Sequence, residues 1–426
     1  MEPLNSTLGS YMPAFFRMDV DFTFPSGADW NHRLSEKDVS VFTHEYIHFL
    51  QDISTYVGLN NAYVYSEQIH GMVNYVYKHP YGPIKIPINL PYNFGNIDLN
   101  KFVNINCFGD FEEQEEFFLK KIKIKELKVD YQNDYVRKLQ QIYLIPTKGK
   151  KVVFGARAIM ESMAYIIETL ITRGFTTPPD FPYLSAEKVI NYYYPEFGED
   201  KLRIIALCDC SLQFSQPGKI FVQTLKVFRE ENRLPTPYEV IDHFYLSPCE
   251  QMGQMRNLIY GLIYQGFSVG KRLELYMQGS SFKPFHNVIH KLIGFGLKER
   301  LENKYFMLDI VQNGYVLDNP LMQRYIKEIG TPIIKDSNSD YWEVLPIGFN
   351  QNNYWIEYFP AIEQVYNCLA EGQDICDLIP WCEKSPQTVQ DDRCYSEPWT
   401  RCNDIRLCPY AMLWRHWNLS NYKPYA

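Results

Sequence analysis

The segment at residues 155–172 constrains the fold more than any other part of the sequence. It reads GARAIMESMAYIIETLIT, and on a helix its apolar side chains cover more than half of the circumference. The remaining stripe is narrow and polar, formed by Arg157, Glu161, Tyr165 and Glu168. A helix with so much apolar surface is buried, and buried charges are costly unless they are paired. The fold must therefore bring a second polar surface onto this stripe.

Residues 44–48, His-Glu-Tyr-Ile-His, offer such a surface. They lie in a second predicted helix, which begins after Ser35, a residue suited to capping a helix N-terminus. The i, i+4 spacing places His44 and His48 on one face, as two ligands of a tetrahedral Zn²⁺ require. Glu45 projects nearby, where it can act as a base toward a metal-activated water. The alternative is a polar helix face with no metal.

The H-E-x-x-H pattern of these five residues resembles that of the zincin metallopeptidases. The resemblance implies a zincin-like catalytic core that binds Zn²⁺ and hydrolyses peptide bonds. Metzincins carry a glycine and a third histidine shortly after the motif, whereas this chain has Ile53 and Ser54 there. The glutamate zincins (gluzincins) are therefore the more similar group, and a glutamate is expected as the third metal ligand.

Two glutamates compete for that role. Glu67 follows His48 at a spacing seen in glutamate zincins, but a straight helix would carry it about 28 Å away, so the chain would have to reverse. Glu161 belongs to the polar stripe of the buried helix, in a Glu-x-x-Ala step similar to the third-ligand helix of glutamate zincins. We predict Glu161 as the ligand, and an internal ion pair between Arg157 and Glu161 is the alternative.

The resemblance also implies a mechanism. Zn²⁺ held by His44, His48 and Glu161 would lower the pKa of its bound water to about 7, and Glu45 would take the proton. A donor to the developing oxyanion is needed as well. Tyr165, one turn after Glu161, is the positional candidate.

Composition excludes several other functions. The 426-residue chain has 46% hydrophobic residues and a formal net charge of -8, which is typical of a globular protein and unfavourable for binding nucleic acid through bulk charge. No segment approaches the roughly 20 apolar residues of a membrane span, and the N-terminus lacks a signal-peptide pattern. We expect a cytoplasmic protein that binds neither nucleic acid nor membrane.

Six C-terminal cysteines repeat the spacing C-x7-C-x5-C. They are Cys368, Cys376, Cys382, Cys394, Cys402 and Cys408. Cytosolic thiols stay reduced, so a structural metal, either a second Zn²⁺ or an iron-sulfur cluster, is the first interpretation. Disulfides and unpaired buried thiols are the alternatives.

These patterns together predict an α+β protein with a zincin-like core and an antiparallel sheet. We expect the catalytic core at residues 1–200, a helical domain at 201–335 and an aromatic- and cysteine-rich region at 336–426. Strands at 84–90, 122–131, 141–146 and 151–154 are expected to form the sheet and to offer an edge to a peptide or protein substrate. The predicted function is a selective intracellular zinc endopeptidase. A catalytically silent binding or sensor module and a metallohydrolase of non-peptide amides or esters are the alternatives.

Overall fold

A computed structural model describes most of the chain and shows a mixed α+β fold, as predicted. The described residues are 4–5, 9–25, 27, 29–91, 96–110, 112–131, 136–174, 177–246, 249–251, 254–384 and 390–425. The α-helices, in chain order, are α1 (Glu36–Ser54), α2 (Tyr56–Val76), α3 (Ile97–Phe108), α4 (Ala156–Ile171), α5 (Asp180–Tyr183), α6 (Ser185–Tyr193), α7 (Lys201–Ser211), α8 (Pro217–Glu230), α9 (Pro237–Leu246), α10 (Leu258–Tyr276), α11 (Lys283–Glu302), α12 (Phe306–Gln312), α13 (Pro320–Ile329), α14 (Tyr358–Tyr366), α15 (Ile379–Lys384) and α16 (Pro409–His416). Helices thus dominate residues 201–335, the region that the sequence analysis expects to be helical.

Apart from Leu119–Asp130 and Val136–Pro146, the strands are short, and all of them form small sheets. In chain order they are β1 (Leu4–Asn5), β2 (Gly9–Met12), β3 (Arg17–Val20), β4 (Gly82–Lys85), β5 (Leu119–Asp130), β6 (Val136–Pro146), β7 (Val152–Phe154), β8 (Cys249–Gln251), β9 (Gln254–Arg256), β10 (Ile333–Lys335), β11 (Tyr341–Trp342) and β12 (Tyr422–Tyr425). One sheet has the order β1-β2-β3-β10-β11, and β5, β6 and β7 form a second, antiparallel one. The two remaining pairs are β8 with β9 and β4 with β12.

The predicted antiparallel sheet is confirmed for three of its four strands. The segment at 84–90 differs: only β4 forms there, and it pairs in parallel with β12 near the C-terminus. Pro83, Pro87 and Pro91 lack the N–H group that a ladder needs, so this segment cannot support a long strand inside a sheet. The antiparallel sheet is therefore a three-stranded one.

The main hydrophobic core runs through the three predicted regions. It includes residues from Tyr11 near the N-terminus to Tyr422 near the C-terminus. A smaller hydrophobic cluster forms around Val103, Val129 and Leu139. Strand pairing joins distant regions too, since Met18 of β3 lies opposite Ile334 of β10. Long-range packing and strand pairing thus cross the predicted boundaries at 200/201 and 335/336, and the division into three regions stays a prediction.

The helix α1 begins and ends as its sequence dictates. The Ser35 hydroxyl accepts from the Asp38 backbone N–H in a capping box, as the sequence predicts. At the other end, Thr55 has an extended backbone, and α2 begins at once at Tyr56. The turn is tight, because a Cβ on Gly58 would lie 2.2 Å from the Asp52 carbonyl oxygen. The two helices are consequently separate elements rather than one straight rod.

Packing around α1 fixes its position. Helix α11 crosses the end of α1 so closely that a Cβ on Gly296 would lie 2.0 Å from the Ile53 carbonyl oxygen. Arg300 of α11 donates from Nε to the Ser54 carbonyl oxygen at 2.9 Å and from both terminal nitrogens to Asp209 at 2.5 and 2.6 Å. This buried contact ties α1, α7 and α11 together. Within the described ranges, no helix combines the length and hydropathy needed to cross a bilayer.

Candidate metal centre

The side chains of α1 and α4 meet at one buried point between the two helices. There the Nε2 atoms of His44 and His48 lie 3.1 Å apart. Oε2 of Glu161 lies 3.2 Å from the first of these nitrogens and 3.3 Å from the second. The exposed fraction of each of these side chains is 2% or less. The structure thus brings together the three residues predicted as metal ligands.

Hydrogen bonds fix the orientation of both imidazoles. His44 Nδ1 donates to Glu168 Oε2 at 2.9 Å, and His48 Nδ1 donates to Gln51 Oε1 at 2.8 Å. The Gln51 amide is itself fixed, because its Nε2 donates to the Met160 carbonyl oxygen at 3.1 Å. With both Nδ1 atoms serving as donors, each neutral ring has its lone pair on Nε2, directed at the common point.

Two nitrogen lone pairs and a carboxylate oxygen cannot face one another at these distances without a cation between them. A proton can serve, and so can a metal ion. Zinc held roughly 2.0 Å from each of three tetrahedrally arranged donors would need those donors about 3.3 Å apart, close to the observed spacing. Two imidazoles and a carboxylate are also a donor set that zinc favours. Across the described residues, this is the one group of three such side chains whose ligand atoms all lie within 4.8 Å. The cluster could therefore hold a metal ion.

The protonation of the metal-free cluster agrees with this geometry. Burial lowers the pKa of His44, but hydrogen bonds to Glu161 and Glu168 outweigh it, so the pKa lies well above its ordinary value. Burial keeps the pKa of His48 below its ordinary value. Burial would raise the pKa of Glu161, yet the two histidines bring it down to about 2. Without metal, the cluster holds one proton on His44 next to an ionised Glu161.

The competing third ligand, Glu67, lies elsewhere. It sits on α2, where it accepts from Asn100 Nδ2 at 2.9 Å and lies 3.7 Å from an Arg272 nitrogen. The predicted ion pair between Arg157 and Glu161 is present as well, at 4.0 Å through the other carboxylate oxygen. Glu161 therefore faces the histidines with one oxygen and Arg157 with the other, which combines the two roles that its sequence allows.

Sequence reasoning missed the residues that orient the histidines. Asp52, one turn after His48 on the same face, does not hydrogen-bond to that imidazole: its Oδ2 accepts from the Ala14 backbone N–H at 2.8 Å and from the Tyr11 hydroxyl at 3.2 Å. Gln51 orients His48 instead, and its residue type alone does not indicate this role. Glu168 could have been found, because it lies two turns after Glu161 in the same polar stripe and therefore also faces α1.

Glu45 lies under the strand β2. Its side chain is fully buried, and a Cβ on Gly9 would lie 2.8 Å from its Oε1. The next side chain of this strand to face the site is Tyr11, whose ring stacks on His48 with centroids 6.2 Å apart. The glycine thus allows backbone to approach the carboxylate at a place where any side chain would collide with it.

Two further tyrosines, Tyr165 and Tyr183, lie near the centre. Tyr165, the predicted oxyanion donor, is partly buried, and its ring packs edge to face on Tyr183 at 6.2 Å. Tyr183 is the closer of the two, with its ring centroid 5.9 Å from that of His44. Burial raises the pKa of Tyr183, and the charges of Glu161 and Glu45 raise it further. Tyr183, like Tyr11, therefore shares the electrostatic environment of the candidate metal ligands, whereas Tyr165 lies farther out behind Tyr183.

The six C-terminal cysteines are buried, and none of them forms a disulfide. Arg401 donates to Cys394 Sγ at 3.4 Å, and the Ala411 backbone N–H donates to Cys408 Sγ at 3.5 Å. A hydrogen bond from Cys382 lowers the pKa of the Cys408 thiol to about 7. No three of the six sulfur atoms, all of which belong to described residues, lie within 4.8 Å of one another. The structure shows a group of buried thiols, and metal binding there stays a prediction.

Comparison of this chain with protein-family models, with curated proteins and with solved structures found no significant match.

Substitution of the two candidate glutamates distinguishes their roles. We expect Glu161→Gln to weaken zinc binding at least about a hundredfold, because it replaces a charged ligand, whereas losing an orienting residue costs about 10- to 100-fold. Glu67→Gln is the matched control and should bind zinc like the wild type. Competition with a chromophoric chelator measures both affinities. Equal affinities in the two variants would contradict the assignment of Glu161.

Zinc binding should also release a proton. The raised pKa of His44 keeps its imidazole protonated in the metal-free protein, and a ligand must be deprotonated, so affinity should fall about tenfold per pH unit below that pKa. Calorimetric titration at about pH 6, in buffers of different ionisation enthalpy, should show close to one proton released per zinc. Release of no proton would mean that zinc binds away from His44.

Proposed function

We propose that this protein is a zinc-dependent hydrolase of the H-E-x-x-H type, with peptide bonds as its substrate. The observation that carries the proposal is the convergence of His44 Nε2, His48 Nε2 and Glu161 Oε2 next to the buried Glu45. A structural zinc site needs only ligands. A carboxylate between the two histidines, on the same helix and in the same buried space, adds the base that hydrolysis requires.

Each side chain has a definite task in this proposal. His44, His48 and Glu161 would hold the ion, while Glu168 and Gln51 keep the two imidazoles in the ligating tautomer. A zinc ion bound there supplies Lewis-acid activation of water and of a carbonyl group. Glu45 accepts a proton from the attacking water and returns it to the leaving amine. Tyr183 supports the oxyanion better than Tyr165, because its ring lies against His44.

The arrangement of α1 under a strand supports the zincin-like interpretation of the core. Strand β2 runs over the motif helix and approaches Glu45 at Gly9, so extended backbone already lies beside the base. A peptide substrate in an extended conformation would present its backbone to the site in a similar way. Peptide specificity, the endopeptidase mode and an intracellular location stay predictions.

A second function is favoured by one specific observation, the burial of the whole site. The exposed fraction of Glu45, His48 and Glu161 is 0%, and that of His44 is 2%. A substrate can reach such a centre only if a covering segment moves. A metal-binding or sensor module without hydrolytic activity needs no such movement, and it is the alternative to catalysis.

The cysteine group would add a second metal in either case. The contact between Cys382 and Cys408, the acidic thiol of Cys408 and the nearby Arg401 support a thiolate site for zinc, with Arg401 offsetting its negative charge. A third and a fourth sulfur atom would have to move closer when the metal binds.

Replacing Glu45 separates these functions. Glu45→Gln should retain zinc and lose about 10²- to 10⁴-fold in hydrolysis of a synthetic peptide mixture, followed by mass spectrometry, because the amide cannot accept the proton. Glu36→Gln, an exposed change in the first turn of the same helix, is the control and should keep full activity. Wild-type protein that binds zinc but cleaves neither peptides nor activated esters would support the silent module. Cleavage of esters alone would support the non-peptide hydrolase.

A further inference from the structure

Positive charge is concentrated in one part of this acidic chain. Residues 119–154, which include β5, β6 and β7, contain ten Lys or Arg and three Asp or Glu, a net charge of +7. The whole chain has a net charge of -8, so the rest of it carries -15. Half of the ten positive residues lie on β5 alone: Lys120, Lys121, Lys123, Lys125 and Lys128.

Strand β5 is an edge strand. It pairs with β6 on one side, and among the described residues no strand pairs with its other side. Its 12 residues extend about 40 Å at roughly 3.4 Å per residue. The outward N–H and C=O groups of such an edge can pair with a further extended chain.

Three of the lysines form a row on one face of this edge. Lys121, Lys123 and Lys125 occupy alternate positions, so their side chains project to the same side, about 7 Å apart, and all three are exposed. Their partners across the ladder are Ile145, Tyr143 and Gln141, which carry no charge. Within the described part of the chain, no acidic side chain lies within 4.0 Å of the three amines.

Two groups of side chains lie beside the three lysines on the same face of the sheet. Lys151 places its amine 5.0 Å from the centre of the Tyr143 ring, which adds a fourth positive charge beside an aromatic surface. Farther along the strand, Val129 and Leu139 pack against Val103 of α3, which covers that half of the face. The exposed part is therefore a short basic patch, open at the strand edge.

We propose that the outer edge of β5 binds an extended acidic polypeptide segment as an added strand, with alternate carboxylates facing Lys121, Lys123 and Lys125. Alternate side chains of the added strand have the same spacing of about 7 Å, so each carboxylate can face one amine. A polypeptide fits this surface better than a nucleic acid, because only a polypeptide can pair with the backbone of the edge.

Lysines on an edge strand also protect it against pairing with other copies of the chain. Protection alone predicts that the edge binds nothing. The proposal predicts binding that depends on acidic side chains and on backbone pairing together, and this binding does not depend on hydrolysis or on zinc.

The test uses the full-length protein and a fluorescein-labelled 12-residue peptide of alternating glutamate and valine. Fluorescence anisotropy should show saturable binding of this peptide, and little binding of a matched peptide of alternating lysine and valine. The triple variant Lys121→Glu/Lys123→Glu/Lys125→Glu should weaken binding at least about tenfold. The control Lys271→Glu/Lys283→Glu/Lys298→Glu makes the same change in net charge on exposed positions of α10 and α11, and it should stay within about twofold of the wild type.

Further arms of the experiment separate strand addition from plain charge attraction and from unfolding. Circular dichroism checks that the charge-reversed variant is folded, and the Lys→Gln triple at the same three positions should give an intermediate loss. A glutamate peptide N-methylated at alternate residues keeps its charges but cannot pair with the edge, so it should bind much more weakly. Equal binding to both triple-glutamate variants, undiminished binding of the N-methylated peptide, or tighter binding of a 12-nucleotide oligo-dT than of the peptide would each overturn the proposal.

Discussion

The contact between the polar faces of α1 and α4 is the interaction on which the rest of the structure depends. His44, His48 and Glu161 are buried, so their desolvation is offset only because they satisfy one another across the interface, with Glu168 and Gln51 as further partners. The geometry requires a positive charge at their centre, either a proton or a metal ion. Arg300, which holds the end of α1 through the Ser54 carbonyl oxygen, and the close crossing at Gly296 keep that helix in place.

Local patterns predict much of this arrangement from the sequence. The Ser35 cap, the start of α1, the span of α4 and three of the four predicted strands follow from periodicity and capping chemistry, which are local properties. Glu161 is predictable because it belongs to a polar stripe on a buried helix, so it must meet another polar surface. Glu168 lies in the same stripe, and its contact with His44 follows from the same argument.

The other features depend on contacts between distant parts of the chain. Nothing in the sequence near Ile84 indicates that its strand pairs with residues about Pro424, and nothing near Met18 indicates its pairing with Ile334. His48 Nδ1 pairs with Gln51 rather than with Asp52. This pairing depends on the rotation of α1 against α4 and on the loop that brings Ala14 to Asp52. Packing across 200/201 and 335/336 depends on such distant contacts as well, and the division into three regions stays a prediction.

Burial sets the main condition on any catalytic function. Glu45 lies beneath backbone at Gly9, and Tyr11 and Tyr183 pack on the two histidines, so access to the site depends on how β2 and the segment around Tyr183 move. These covering elements also bury the site, and the low local dielectric strengthens the electrostatic interactions between Glu45 and the three candidate metal ligands. The same packing can thus serve a gated enzyme or a closed metal-binding module, and both require the same three ligands.

The most direct test of this three-ligand centre is X-ray absorption at the zinc edge, measured on protein loaded with one equivalent of zinc. Coordination by His44, His48 and Glu161 predicts nitrogen and oxygen neighbours at about 2.0 Å, the outer-shell scattering of two imidazoles and no sulfur neighbour. A shell of sulfur atoms at about 2.3 Å would show that the cysteines bind the first zinc, and a spectrum without imidazole scattering would contradict the assigned centre.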